Sequence, residues 1–189
     1  MKKIAVVLMA MIGLSGVCSE EVKIKNYEVS PGSYAKSYGT SQDLDLVVDK
    51  DGKVHRKGLL TDGKVFYGRT WCVCYVFWRV PDKDAFISVD LTLEKPSEIE
   101  KVEVFGCNDS PMYAVTKARL EDLGDGISTD VLSESNQPVF DRNVWKMTLD
   151  GKNQKTGNLK VTVWTGGSKY LHLTEIKVWK RSPENKQKQ

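Results

Sequence analysis

Apolar and polar residues alternate in short runs along most of this chain, and no stretch after the first twenty residues keeps a helical period for three turns. Phe86–Leu93 is the cleanest run, with Ile87, Val89, Leu91 and Leu93 on one face and Ser88, Asp90 and Thr92 on the other. A period of two is what a half-buried strand requires. Val102–Phe105, Tyr113–Leu120, Val144–Leu149 and Leu159–Thr165 are further strand candidates, and Leu44–Val48 follows a less regular region rich in Ser, Gly and Tyr. Trp71–Val80 is apolar on both faces, which suits a central strand. Asp51-Gly52, Asp62-Gly63, Asp125-Gly126, Asp150-Gly151 and Gly166-Gly167 supply turn chemistry between the runs. Many short strands separated by such turns predict an all-β sandwich or jelly roll.

The last strand candidate departs from this simplicity. In KYLHLTEIKVW, Lys169–Trp179, Leu171 and Leu173 alternate on one face, and Ile176 and Val178 continue one residue out of phase. A slip of one residue sends side chains to the opposite face, so the break at Thr174-Glu175 predicts a β-bulge. A carboxylate inside an apolar run at such a break needs a partner, either hydrogen-bond donors or a cation.

Composition narrows the setting. Lys2 and Lys3 precede the apolar run Ile4–Leu14 and the small-residue stretch Ser15–Ser19, the order of a secretory signal peptide. The apolar run is too short to span a bilayer as a helix, and no later stretch is longer. Cys18 follows Leu-Ser-Gly-Val, which resembles a lipobox except that Val17 stands where such boxes carry Gly, Ala or Ser; a lipid anchor at Cys18 and simple cleavage beside it both remain open. The domain plan is therefore a signal peptide over 1–18, an N-terminal extension with the first strands over 19–57, the sandwich core over 58–180, and a polar tail over 181–189. The formal charge of the 189 residues is +3, and residues 1–18 hold two lysines and no acid, leaving +1 after cleavage. Charges of both signs are interspersed, with none of the basic stripe that nucleic-acid binding requires.

Three cysteines follow Cys18. Cys72 and Cys74 share a strand face, too strained to bridge to each other, whereas a bond from Cys72 or Cys74 to Cys107 on a neighbouring strand is reasonable in an oxidising compartment. Three reduced, buried thiols are the equal alternative. Catalysis finds little support: no GxSxG, GxxxxGK[ST] or GxGxxG occurs, and His55 and His172 are the only histidines.

Three segments in this order resemble the discoidin-like, or coagulation-factor type C, galactose-binding-like family. They are GLLTDGKVFYGRTW (Gly58–Trp71), FISVDLTLEKPSEIEKVEVFG (Phe86–Gly106), which is similar to that family's central hairpin, and the closing KYLHLTEIKVW; LEDLGDGIS (Leu120–Ser128) takes the place of a family turn. Asn158–Thr162 lacks the aromatic-Val-Arg pattern of the family's penultimate strand. The resemblance implies a jelly-roll β-sandwich of the bacterial carbohydrate-binding-module type, without catalytic residues. It implies binding of glycans, glycoproteins or phospholipid headgroups through loops at one end. It also implies a structural calcium held by the Leu59 carbonyl, Asp62, Thr70 and Glu175, an oxygen set that calcium accepts. The alternative within the same residues is that Asp62 shapes its turn and Glu175 accepts main-chain hydrogen bonds.

Aromatics in predicted loops are the first candidates for stacking on sugar rings: Tyr34, Tyr38, Phe66 and Tyr67. His55 and Asn108 are polar loop candidates for hydroxyl contacts. Trp71, Trp78, Trp145, Trp164 and Trp179 are expected to pack in the core or on the sheets, and His172 to face solvent or a neighbouring strand. The expected function is an exported, non-catalytic module binding glycan or glycoprotein. The alternative is a cell-envelope structural or protein-interaction domain of the same fold.

Overall fold

The structure, a computed structural model, describes residues 19–30, 42–43, 46–48, 50–56, 58–65, 76–79, 86–107, 115–124, 129–164, 166 and 170–182. Its strands are β1 (Ser19–Val22), β2 (Ile24–Ser30), β3 (Gln42–Asp43), β4 (Leu46–Val48), β5 (Val54–Arg56), β6 (Val76–Arg79), β7 (Phe86–Cys107), β8 (Lys117–Asp122), β9 (Asp130–Ser135), β10 (Val139–Asp141), β11 (Val144–Trp164) and β12 (Tyr170–Arg181). All described pairings are antiparallel. No described helix is long and apolar enough to cross a membrane.

Two long strands organise the molecule. β7 and β11, of 22 and 21 residues, run antiparallel along their whole lengths, from Phe86 opposite Trp164 to Cys107 opposite Val144. Register slips between Asp150 and Gln154 and again between Thr156 and Asn158, and there the ribbon bends. Pro96, which cannot donate a ladder hydrogen bond, and Gly157 face each other at the bend: a Cβ on Gly157 would lie 3.4 Å from Pro96 Cγ. The two arms serve two layers. One arm pairs with β2 on one side and with β8 and then β9 on the other; the other arm pairs with β12, which carries β6, β3 and β1, and with β10.

The inward faces of both layers meet in one core. Ile87, Val89, Leu91, Leu159, Val161, Val163, Ala118 and Leu120 come from the first layer. Val102, Val104, Trp145, Met147, Leu149, Leu171, Leu173, Ile176 and Val178 come from the second. Each fully buried Val, Leu or Ile contributes about 1.5–3 kcal/mol, so this interior is what holds the sandwich closed. Packing is tight where Trp145 crosses β7: a Cβ on Gly106 would overlap the His172 carbonyl and the Trp145 indole. The result is the all-β, jelly-roll sandwich that the alternation predicts.

Several expectations are corrected by these strands. Phe86–Gly106 is one bent strand rather than a hairpin, because β11 runs beside both of its halves and leaves no turn between them. Asp150-Gly151 is not a turn between strands; it opens an irregularity inside β11, where Lys152 and Asn153 take positive φ of 53° and 54°. Asp51-Gly52 does join β4 to β5, with Gly52 at φ 78°. Asp125-Gly126, the signal segment 1–18 and the tail from 183 lie outside the described residues, as do Trp71 and the first part of the Trp71–Val80 run.

Candidate functional site

The predicted bulge in β12 is present. Leu173 pairs with Gly106 and Glu175 with Phe105, so two residues of β12 answer one step of β7 between them. Leu171, Leu173, Ile176 and Val178 consequently all reach the core despite their change of phase. Thr174 and Glu175 absorb the extra residue, and both are fully buried.

What covers Glu175 is the segment before β6. Gly58 (φ 83°) starts a single 3-10 turn, Leu59–Thr61, closed by the Thr61 N–H on the Gly58 carbonyl at 3.1 Å. Leu60 enters the core, and its N–H donates to Tyr27 Oη at 3.2 Å. Asp62 then accepts the Lys64 N–H on Oδ1 at 3.0 Å, an Asx turn that needs the positive φ of 82° at Gly63. This turn presents the Gly63 N–H to Glu175 Oε1 at 3.2 Å. On the same face of β12, two residues on, the Lys177 ammonium donates to the Gly63 carbonyl at 3.3 Å.

Glu175 is incompletely satisfied. Its Oε2 is buried and has no hydrogen-bond partner among the described residues. Burial drives its pKa up from the ordinary 4.5 to about 8, and the negative charges of Asp62 and Glu21 add to the rise. The Gly63 N–H and the Lys177 charge oppose it without cancelling it. An orphaned, buried carboxylate oxygen beside a second carboxylate is a fit for a hard divalent cation, which binds carboxylates and carbonyls. Of the four expected ligands, Leu59, Asp62 and Glu175 belong to this turn and the strand it packs on, and Thr70 lies outside the described residues. No group of three or more Asp, Glu, His or Cys positioned to hold a metal occurs among the described residues, so carbonyl oxygens would have to complete a coordination shell.

The other candidate ligand contacts are not brought into view. Tyr34, Tyr38, Phe66, Tyr67 and Asn108 lie outside the described residues. His55 is placed on β5 opposite Val47, with its backbone alone described. Cys107 is buried at the end of β7; Cys72 and Cys74, and with them the expected pairing, lie outside. His172 is buried, on a strand position paired with β6, the second of its two expected placements. Trp145 is core, whereas Trp164 and Trp179 lie half-buried on the outer faces of the two layers.

Around those two indoles the sheets carry polar groupings that sequence reasoning missed. Trp179 Nε1 donates to Glu103 Oε2 at 2.9 Å, Lys101 lies over the Trp179 ring, and Lys101 and Lys146 flank Glu103. Lys117 and Arg119 lie over Trp164, which is also in contact with Phe86, and both cations pair with Glu134. The signal was there in the outward positions of each strand, but alternation gives a face and not the neighbour across it.

No family model matches this sequence, and no curated protein matches it either. Solved structures do. The fold is similar to the family 32 carbohydrate-binding module of C. perfringens NanJ in complex with galactose, with TM-score 0.55 and 10% identity over 86% of this chain and 100% of that one. It is similar to the chain of Clostridium perfringens ZmpB that holds two such modules and an M60 catalytic domain, with TM-score 0.54, 13% identity and 86% of this chain covered; the match spans only 15% of that chain. It is also similar to reduced XRCC1 bound to the DNA pol beta catalytic domain, with TM-score 0.52, 12% identity, and 86% and 100% of the two chains covered. At these identities the likenesses establish the architecture alone: the chain has a β-sandwich fold that these structures share.

Proposed function

We propose that this protein is an exported, non-catalytic module that binds carbohydrate through the connections at the end of the sandwich remote from the bend. The observation that carries the reading is the shared fold, which a galactose-bound module matches over its full length. The bent ribbon supports it. Phe86 with Trp164 and Cys107 with Val144 are the two outer ends of the paired strands, both far along the ribbon from the register slips beside Pro96 and Gly157. The connections 80–85, 108–116 and 165–169 leave from those strand ends, and loops set on a rigid frame are where binding residues concentrate. Tyr34, Tyr38, His55, Phe66, Tyr67 and Asn108 remain the candidates for stacking and hydroxyl contacts. Lys2, Lys3 and Ile4–Leu14 support export, with cleavage or lipid anchoring at Cys18.

Calcium belongs to the same proposal, as a structural ion on Asp62, Glu175, Thr70 and the Leu59 carbonyl. When bound it would supply positive charge to the unpaired Glu175 oxygen and pin the turn that covers β12. Chelation should then lower the melting temperature, and added calcium should restore it by mass action.

A second reading, a protein-interaction domain of the cell envelope, is favoured by one feature. Val131, Val139 and Phe140 on β9 and β10 are large apolar side chains at least half exposed. Screening the purified mature protein against a broad glycan array separates the two. Binding to a defined sugar class supports the first; silence across the panel together with recovery in a stable envelope complex would replace it with the second.

A further inference from the structure

Glu175 and Lys177 leave β12 on one face and close on the two sides of a single residue. The Gly63 N–H goes to Glu175 Oε1 at 3.2 Å, and the Gly63 carbonyl receives the Lys177 ammonium at 3.3 Å. The Lys177 side chain is 18% exposed and also reaches Glu21 at 3.9 Å. A second cation belongs to the turn itself: Lys64 Nζ meets Asp62 Oδ2 at 3.3 Å, from a side chain that is 76% exposed. The two lysines therefore differ in kind. Lys64 can swing into water at little cost, since exposed ion pairs are weak and screened. Lys177 is held between strand and turn, where its charge is poorly screened.

We propose that Lys177 sets the cation affinity of the Asp62–Glu175 turn, acting as a built-in positive charge that a divalent ion must work against. The proposal rests on the calcium reading above and concerns this chain's own residue rather than the ligand set. The ammonium already does part of an ion's work: it holds the Gly63 carbonyl and places a positive charge on the face of β12 that carries Glu175. A fixed positive charge beside the turn repels another cation. The site is thereby tuned toward weak calcium binding, while the turn keeps its place on β12 when calcium is scarce.

Calcium chloride titrations followed by calorimetry, with melting curves in EDTA, test this on the mature chain. Lys177→Met should bind calcium about tenfold more tightly than the unchanged protein and melt at a lower temperature in EDTA. Lys177→Arg, which keeps the charge, should leave calcium affinity within a factor of about two. Lys177→Gln keeps a donor for the Gly63 carbonyl without the charge; it separates the two contributions and serves as the informative variant if the Met variant does not fold. Lys64→Met should change affinity by less than about threefold. Calcium binding that is unchanged or weaker in both Lys177→Met and Lys177→Gln overturns the proposal and leaves the calcium reading standing. Absence of binding in every variant at millimolar calcium, or binding that survives Glu175→Gln, sinks both together. Binding by Lys177→Met but not by the unchanged protein supports the proposal in its strongest form.

Discussion

Asp122 at the end of β8 and Glu175 inside β12 are both carboxylates buried beside a slip in strand register, with 8% and 0% of their surface exposed. Asp122 Oδ1 accepts the Gly124 N–H at 2.8 Å and the Thr156 hydroxyl at 2.6 Å, and Oδ2 accepts Gln154 Nε2 at 3.1 Å. Glu175 has the Gly63 N–H on one oxygen and nothing among the described residues on the other. Burial is therefore not what separates a structural carboxylate from one that can take a ligand. Unsatisfied valence is. The donors of Asp122 come from the turn after β8 and from the irregular stretch of β11, so its charge is used up in tying the bend together. Those of Glu175 stop at one among the described residues, and the proposed calcium would add to stability there.

The largest effect should come from removing the closed network. Asp122→Ala strips the partners from a buried Thr156 hydroxyl, a turn N–H and a side-chain amide at once. Hydrogen bonds to a charged acceptor are worth about 1.5–3 kcal/mol each, and solvent can reach Gln154, so a loss of about 3–4 kcal/mol is expected. Urea denaturation at neutral pH measures it, and an unchanged slope would show that folded compactness is preserved. A loss below about 1 kcal/mol would mean that the network is ornamental and that the contrast with Glu175 is unfounded.

The two carboxylates also differ in how far sequence reveals them. Glu175 was legible because a one-residue change of phase between Leu173 and Ile176 is a local pattern, and a bulge is its local consequence. The alternation of Phe86–Leu93 and Leu159–Thr165 was legible for the same reason. Asp122 was passed over: it sits in an ordinary-looking turn, and its value comes from Thr156 and Gln154, which lie 34 and 32 residues further along the chain. The hairpin expected within Phe86–Gly106 failed on similar grounds. Phe86–Leu93 and Val102–Phe105 read as two separate runs, and only pairing with β11 on both sides of the gap makes them one continuous strand. Local periodicity reports faces; it does not report which distant strand supplies the partner.

A second effect should appear as pH is varied in EDTA. Below the ordinary carboxylate range Glu175 is protonated in folded and unfolded chains alike and costs nothing. As pH rises from 4.5 to about 8, the unfolded chain releases this proton while the folded chain retains it. Stability from this group therefore falls across that window, by up to about 1.4 kcal/mol per pH unit, and levels off above it. Glu175→Gln should remove this fall and abolish any calcium response. Its net gain at pH 8 is held to about 2 kcal/mol, because the new amide N–H must itself be buried without an acceptor. Thermal melts at pH 5 and pH 8 with and without calcium decide the matter. An equal fall with pH in the Gln variant would assign the dependence to other groups and remove the main contrast with Asp122.

Thr156→Val gives the finest resolution of the comparison. Valine matches threonine in shape, so the core and the bend at Gly157 should be undisturbed, and only the hydroxyl is lost. That hydroxyl donates to Asp122 Oδ1 at 2.6 Å and accepts the Asn158 N–H at 3.1 Å. Asp122 Oδ1 keeps the Gly124 N–H, so the carboxylate is weakened but not orphaned, and the cost should be about 1–2 kcal/mol. In combination with Asp122→Ala the two losses should fall short of their sum, since residues within one hydrogen-bond network couple. Paired with Glu175→Gln, whose strand pairs with neither β8 nor β11, they should add. Additivity within the Asp122 network, or coupling between it and Glu175, would show that the two buried carboxylates are not the independent structural and ligand-ready sites that their hydrogen bonding describes.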